Sequence, residues 1–371
     1  MLLTESQSKD MLRAHGIAVP EGLLIRKPDQ IKRWRGELPV AIKAQVASGG
    51  RGKAGGVLRA NGVAEAQFAA KQLCDMKFGG EAPRALLVEP WVAHEREMYL
   101  AITIDVTAGG YVVLYSPKGG VEVENNAPLQ YAFGSPRAFR AHALRKLLGE
   151  AEPDAGLRER LITLVRRMLY LATAADAMTV EINPLTVVDG KLIALDAKIV
   201  RDEAAAFRHA DLAAEMEDAR KREPKAMARA LADNLMMVWL DGEVGLISGG
   251  AGMTMAAMDM IADAGAKPAC FLDCSSNPTP AGYKLAFSIL DSEPQVKAIL
   301  FSIFGGGTQI DRVALTLHDV LKARKSKKPV VIRMNGTGRE ACDAYMKEVG
   351  LLNHDSLEAA VADVVQKAGA A

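Results

Sequence analysis

Lys43 lies in the apolar run VAIKAQ, and the segment SGGRGKAGG follows it at residues 48–56. Period-2 alternation along that run lets Ile42 face a core while Lys43 faces outward, where an ammonium can meet a phosphate. The glycines after it let backbone N–H groups approach a polyphosphate, and Arg51 and Lys53 add positive charge. A flexible surface loop with solvated cations has the same letters, so this loop does not decide its own role.

A second group is carried by TVEINPLTVVDGKLIALDAKI. Asp189-Gly190 is a two-residue hairpin signal, and pairing about it sets Val188 opposite Lys191, Asn183 opposite Asp196 and Glu181 opposite Lys198. Facing side chains in an antiparallel pair lie roughly 5 Å apart, close enough for Asn183 and Asp196 to share one hard cation. Glu181 falls on the same face. A surface hairpin with polar cross-strand pairs reads the same way, and Pro184 opens the alternative of a bulge that shifts the register. Glu89, ending the strand ALLVE, and Glu97 are acids of the kind that hold adenine amines or ribose hydroxyls, although exposed glutamates are usually only solvated.

Four further loops, SGGAG, DCSSNPT, GGGT and NGTG, each follow a short apolar strand in the C-terminal third. In a doubly wound sheet such loops converge on a ligand crevice, and GGGT before a helix over residues 309–324 is an anion site by helix geometry. Tight strand-to-helix turns also require glycine, so each loop alone is weak.

The elements that must position these residues follow from the pattern. Thr4 and Gln7 form a capping-box signal for a first helix ending near Gly16. A β-rich region comes next, with ELPVAIKAQ, RALLVEP, EMYLAITID and YVVLYS as strands, then helical stretches over residues 136–148 and 157–174. Residues 201–235 are charge-rich and helical and read as a connector. After them VGLIS, ACFLD, AILFSI and VVIRM alternate with helices, the signature of a parallel sheet. The class is α/β, with a nucleotide-binding domain over 1–235 and a Rossmann-like or flavodoxin-like domain over 236–371. A chain of 371 residues exceeds the roughly 250–300 residues at which single cores stop growing, in keeping with this division.

Lys+Arg number 46 against Asp+Glu 45, so no bulk electrostatic pull toward nucleic acid or membrane arises. The start MLLTESQSKDML lacks a basic stretch followed by an apolar core, and no apolar run is long enough to span a bilayer, which points to the cytoplasm. Cys74, Cys270, Cys274 and Cys342 are scattered without CxxC spacing and read as free thiols. Of the six histidines, His209 alone stands beside a motif, and a structural or solvated role suits it.

Taken in order, GGRGKAGG, SPKGGVEVE, VEINPL, LDAKI, the pair Phe207 and Arg208, SGGAGMTMAAMDM, FLD and IFGG resemble the β subunit of succinyl-CoA synthetase (succinate–CoA ligase), a family that includes malate–CoA ligase. The resemblance covers nearly the whole chain. It implies an ATP-grasp domain joined to a CoA-ligase domain, using ATP or GTP and Mg2+, and a separate α subunit that carries the phosphorylated histidine and most of the CoA site. A heterodimer or heterotetramer and a small carboxylate substrate are implied with it. By position, Lys43, Gly50, Arg51, Gly52, Glu89 and Glu97 look like nucleotide contacts, and Asn183 and Asp196 like magnesium ligands. Glu181 looks like the acid that orients the histidine, and Gly306, Gly307 and Thr308 like the helix start that receives the phosphohistidine.

Departures from the family pattern cluster on the carboxylate side. Gly249 replaces the Asn before GAG, Cys274, Ser275, Ser276, Asn277 and Pro278 replace a glycine run, and Gly307 to Ile310 replace a segment that holds Arg and Cys. The substrate loop formed by Gly249, Ser275, Ser276 and Asn277 therefore implies an altered carboxylate specificity. Two other readings fit the residues: a stand-alone ATP-grasp ligase joining a carboxylate to an amine, and a nucleotide-binding regulatory subunit.

Overall fold

The computed structural model describes residues 1–47, 51–120, 127–275, 279–305 and 309–369. The chain forms two compact units, Met1–Met216 and Glu217–Ala371, dividing inside the charge-rich stretch.

The first unit opens with α1 (Glu5–Ala14), which starts where the sequence places it. Thr4 and Gln7 form the reciprocal capping box, with the Gln7 N–H donating to Thr4 Oγ1 and the Thr4 N–H to Gln7 Oε1. There follow β1 (Leu23–Ile25), β2 (Val40–Gln45), β3 (Val57–Ala60), α2 (Val63–Asp75) and β4 (Ala85–Pro90). These strands make an antiparallel sheet in the order β1-β4-β2-β3. Val40, Ile42, Ala44, Leu86 and Val88 fill one core with Ala66, Ala70 and Leu73 of α2. Lys43 and Glu89 alternate onto the opposite face.

Next come β5 (Met98–Asp105), β6 (Gly110–Ser116), β7 (Leu129–Gly134), α3 (Ala141–Leu148), α4 (Ala155–Ala174), β8 (Ala177–Val188), β9 (Lys191–Ala194) and β10 (Ala197–Arg201). They form a second sheet in the order β10-β8-β5-β6-β7, with β9 paired to the far half of β8. Leu100, Ile102, Val180, Ile182 and Ile199 pack with Leu161, Val165 and Met168 of α4 in a larger core that also takes Leu3 and Leu12. Helix α1 thus rests its apolar side on the second sheet while its charged side reaches β2 and β4 of the first. It bridges the two sheets.

After α5 (Ala210–Arg222), the second unit runs α6 (Lys225–Ala232), β11 (Met236–Trp239), β12 (Val244–Ser248), α7 (Ala251–Asp263), β13 (Cys270–Asp273), α8 (Pro280–Ser292), β14 (Ala298–Gly305), α9 (Ile310–Ala323), β15 (Val330–Gly336), α10 (Arg339–Glu348) and α11 (Leu357–Gly369). The strand order is β11-β13-β12-β14-β15, parallel from β13 to β15. That 2-1-3-4 order is flavodoxin-like, and the chain reverses its winding between β12 and β14. Helices α7 and α11 pack on one face of the sheet, and α8 and α9 on the other. Cys270, Cys274 and Cys342 are buried there. The antiparallel edge strand β11 is an addition to the sequence pattern; Met236 and Val238 face solvent, so it lacks the apolar run that marks its neighbours.

Because the capping box fixes the start of the helix that joins the two sheets, Thr4→Ala should destabilise the first unit by about 1 kcal/mol. The shift in its denaturation midpoint measures this.

Candidate functional site

The hairpin about Asp189-Gly190 has the register read from sequence. Val188 faces Lys191 and Leu185 faces Ala194 on one side, and Ile182 faces Ala197 and Glu181 faces Lys198 on the other. Between these blocks the Leu195 N–H donates to the Pro184 carbonyl at 2.9 Å, so Asn183 and Asp196 occupy facing positions. Pro184 introduces a cis peptide bond but no slip. The register changes only further along, between Val200 and Arg201.

With Val180, Ile182, Ala197 and Ile199 in the core, Glu181, Asn183, Asp196 and Lys198 turn to the other face. There they line a cavity of ≈570 Å³ whose opposite wall includes Lys43, Arg51, Gly52, Lys53, Glu89 and Glu97. One cavity in the first unit therefore gathers every described residue that the resemblance assigns to nucleotide, metal or histidine. Gly50 lies outside the described residues, as do Ser276, Asn277, Gly306, Gly307 and Thr308.

Lys43 is corrected in one respect. It is on the face opposite Ile42, but it is only 8% exposed, because α1 covers that face. Its Nζ donates to Glu5 Oε1 at 2.9 Å and to the Leu195 carbonyl at 2.6 Å, and lies 2.9 Å from Glu89 Oε2. Arg51 donates through Nη1 to the Ala44 carbonyl and through Nη2 to Asp196 Oδ2 at 2.8 Å, and it pairs with Glu5 Oε2 at 2.7 Å. Glu89 gives both oxygens to Lys9 Nζ, each at 2.7 Å. Its carboxylate is thus committed to balancing charge in the wall. Glu5 and Lys9 were not singled out from the sequence. Their i,i+4 spacing on α1 is visible there, but nothing local says that the pair is buried rather than solvated.

The electrostatics follow from this packing. Burial alone would raise the Glu5 carboxyl, but Lys43, Lys9 and Arg51 outweigh it and hold Glu5 well below its ordinary 4.5. Burial would lower the Lys43 ammonium, but Glu5, Glu89 and Asp196 lift it above its ordinary 10.5. Asp196 is raised by burial and by Glu5, against the pull of Arg51 and Lys43. Glu181 is raised by burial, and Lys198, 4.0 Å away, offsets only part of the rise.

Asn183 is held by a reciprocal pair of bonds. Gly120 N–H donates to its Oδ1 at 2.6 Å, and its Nδ2 donates to the Gly120 carbonyl at 3.1 Å. Glycine is required at 120, where φ is +87 and a Cβ would sit 2.2 Å from Glu97 Oε2. Glu97 in turn meets His94 Nε2 at 2.9 Å, while His94 Nδ1 lies 2.9 Å from the Val92 carbonyl. Both ring nitrogens face acceptors, the arrangement of an imidazolium. Burial pulls His94 down, but Glu97 and the Val92 carbonyl raise it above its ordinary 6.5. His94 therefore belongs to the cavity wall, whereas His209 joins Arg208 on the carboxylate of Asp176.

The donor set suits a magnesium ion. Asn183 Oδ1, Asp196 and Glu181 are hard oxygens on one face, and a nucleotide-bound ion needs only one or two of them. Asp196 Oδ2 is bonded to Arg51, so a cation taking that oxygen must displace the guanidinium.

In the second unit, Gly249 ends β12 at the winding reversal. A Cβ there would meet Ile303 Cγ1 at 3.4 Å, an ordinary contact, so packing does not demand glycine at this position. Asp273, ending β13, accepts from Gly250 N–H at 2.9 Å and Ser275 N–H at 2.8 Å, which ties two of the substrate-side loops together.

Removing Lys9 as Lys9→Met leaves Glu5 and Glu89 short of a buried partner and should cost about 3–5 kcal/mol. Arg145→Ala, which breaks the exposed Arg145–Glu159 pair, should cost less than about 1 kcal/mol by the same denaturation measurement. Glu5 has a depressed folded value, so its contribution is fully present above its ordinary 4.5 and is lost as pH falls through the folded value. Stability of the first unit measured against pH should therefore drop on the acid side, and Glu5→Gln should reduce that slope.

Residues 2–187 match the ATP-grasp domain family, and residues 247–370 match the CoA-ligase family. The succinate–CoA ligase [ADP-forming] subunit beta of Pyrobaculum islandicum is 34% identical over 380 residues, covering 99% of this chain and 100% of its own length. That of Chloroflexus aurantiacus is 37% identical over 381 residues, covering 100% of this chain and 99% of its own. In fold, the chain is similar to ATP citrate lyase from Methanothrix soehngenii, solved with citrate and coenzyme A, at a TM-score of 0.75 and 18% identity over 98% of this chain and 99% of that one. An ATP-grasp domain followed by a CoA-ligase domain, with full-length kinship to both relatives, places this chain in the succinate–CoA ligase β-subunit family of ATP-dependent acid–thiol ligases.

Proposed function

We propose that this chain is the β subunit of an NDP-forming acid–CoA ligase that works with a histidine-bearing α subunit. The observation that carries the proposal is the single cavity in which Lys43 and Arg51 face Asn183, Asp196 and Glu181. ATP or GTP lies there with its polyphosphate on Lys43, Arg51 and the backbone of the glycine loop, Gly50 and Gly52 included. Glu97 and the strand end at Glu89 border its nucleoside. Asn183 and Asp196 would hold a magnesium ion, which supplies charge neutralisation on the phosphate oxygens.

The γ-phosphoryl passes to the histidine of the α subunit with release of the nucleoside diphosphate, while Glu181 orients the ring. The phosphohistidine then moves to the loop Gly306, Gly307 and Thr308, whose free N–H groups at the start of α9 suit a phosphoryl group. A carboxylate oxygen of the acid attacks phosphorus to give an acyl phosphate. The CoA thiol attacks the acyl carbon, and phosphate leaves. Positioned cations and N–H dipoles do this work, and no nucleophile from this chain is needed.

Gly249, Ser275, Ser276 and Asn277 set the choice of acid, which we take to be a small carboxylate different from succinate. Assembly is as a heterodimer or heterotetramer in the cytoplasm. No helix among the described residues is long and apolar enough to cross a membrane.

Reconstitution with the α subunit tests the proposal. Incubation with ATP and Mg2+ should label a histidine of the partner, and release of ADP should require CoA and one acid from a panel of dicarboxylates, hydroxy acids and sulfonates. Glu181→Gln should slow the labelling by about a hundredfold, the scale of a lost acid–base or orienting group. Failure to label the partner overturns the proposal, as does ADP release by the isolated chain with an amine and without CoA.

A further inference from the structure

Two charges in the cavity wall come from α1, which the nucleotide reading leaves without a role. Glu5 and Lys9 stand on one side of that helix and are 3% and 2% exposed. A surface helix gains nothing by burying an ion pair for its own sake, since the same residues are more cheaply solvated. Glu5 has a particular geometry. Its Oε1 lies 2.8 Å from Lys9 Nζ and 2.9 Å from Lys43 Nζ, and its Oε2 lies 2.7 Å from Arg51 Nη2. One carboxylate is thus the common partner of all three buried cations.

On the nucleotide reading proposed above, we infer that Glu5 is a positioning residue for polyphosphate binding: it holds the Lys43 ammonium and the Arg51 guanidinium together in the cavity wall before the phosphates arrive. Two cations side by side repel, and in a poorly solvated wall that repulsion is strong. A shared anion behind them removes it and fixes both side chains, so binding requires no rearrangement of either. Glu5 is in the right place for this task, because it is buried and does not compete with phosphate for the cavity. Asp196 differs. Its side chain is 34% exposed, and it is the partner that Arg51 can exchange for a phosphate oxygen when a cation takes the carboxylate.

Lys9 completes the balance. Lys9, Lys43 and Arg51 meet Glu5, Glu89 and Asp196, three cations against three carboxylates. With that sum at zero, Lys43 and Arg51 can turn toward an incoming anion without leaving a buried charge uncompensated.

Binding of ADP and of adenosine to the full chain, by equilibrium dialysis and saturation-transfer NMR, tests the inference. Glu5→Gln should weaken ADP by about tenfold or more, the loss of one well-placed charge-assisted contact, and change adenosine by less than about twofold. Glu5→Asp should recover most of the ADP affinity. Since Glu5→Gln leaves an unbalanced buried cation and can fail to fold, the double variant Glu5→Gln with Lys9→Met keeps the cluster neutral and should show the same selective loss of ADP. Equal weakening of ADP and adenosine in a folded variant would mean only a loosened wall and overturns the inference, as does unchanged ADP affinity. If the wild-type chain itself binds ADP no better than adenosine, the nucleotide reading fails, a result distinct from either of these.

Discussion

Burying Lys9, Lys43 and Arg51 beside one another is possible only because Glu5, Glu89 and Asp196 are buried or half-buried with them. A lone ammonium in such a place would shed its proton or draw water in, and each cation here instead meets at least two carboxylates. The constraint reaches through the whole first unit. Glu5 and Lys9 need α1 seated on the second sheet, Lys43 and Glu89 need β2 and β4 paired in the first, and Asp196 needs β8 and β10 in register. Two antiparallel sheets with separate apolar cores are joined at their polar faces by this one set of charges.

Neutrality also explains how the cluster serves a ligand. A wall with excess positive charge would hold phosphate tightly but would strain the empty protein, and one with excess negative charge would repel it. A balanced wall can hand Arg51 from Asp196 to a phosphate oxygen while Glu5 keeps the guanidinium in place. The second unit has no comparable lock. Its ligand-side loops are tied by backbone N–H groups donating to Asp273, and such ties constrain backbone position more than side-chain identity.

The elements most legible in the sequence were those whose signals are local. The Asp189-Gly190 turn fixed the facing of Glu181 with Lys198 without any knowledge of the sheet, and the Thr4/Gln7 box marked the start of α1. The four apolar strands of the second unit were equally plain, being buried on both faces and flanked by helices. What the sequence could not show depends on long-range packing. Lys43 reads as an outward residue because alternation gives a face but not what covers it, and α1 covers it from 38 positions away. Glu5 and Lys9 read as an ordinary solvated helix pair for the same reason. Strands β1, β3 and β7 were missed because each is short or half exposed and owes its existence to a neighbour.

This contrast between charge locks and backbone ties bears on why the departures from the family pattern fall where they do. Any single change among Glu5, Lys9, Lys43, Arg51 and Glu89 leaves a buried charge without its partner, so these positions can change only together. Gly249 is under no such restraint. Its Cβ position meets Ile303 at ordinary contact distance, so the fold accepts either a side chain or none there, and its absence leaves room beside β12. Ser275 likewise contributes to its tie through the main chain, which a different side chain would preserve. Physical coupling thus holds the nucleotide half of the protein fixed and leaves the carboxylate half free to be altered one residue at a time, the order in which a new acid could be accommodated without loss of the phosphoryl-transfer machinery.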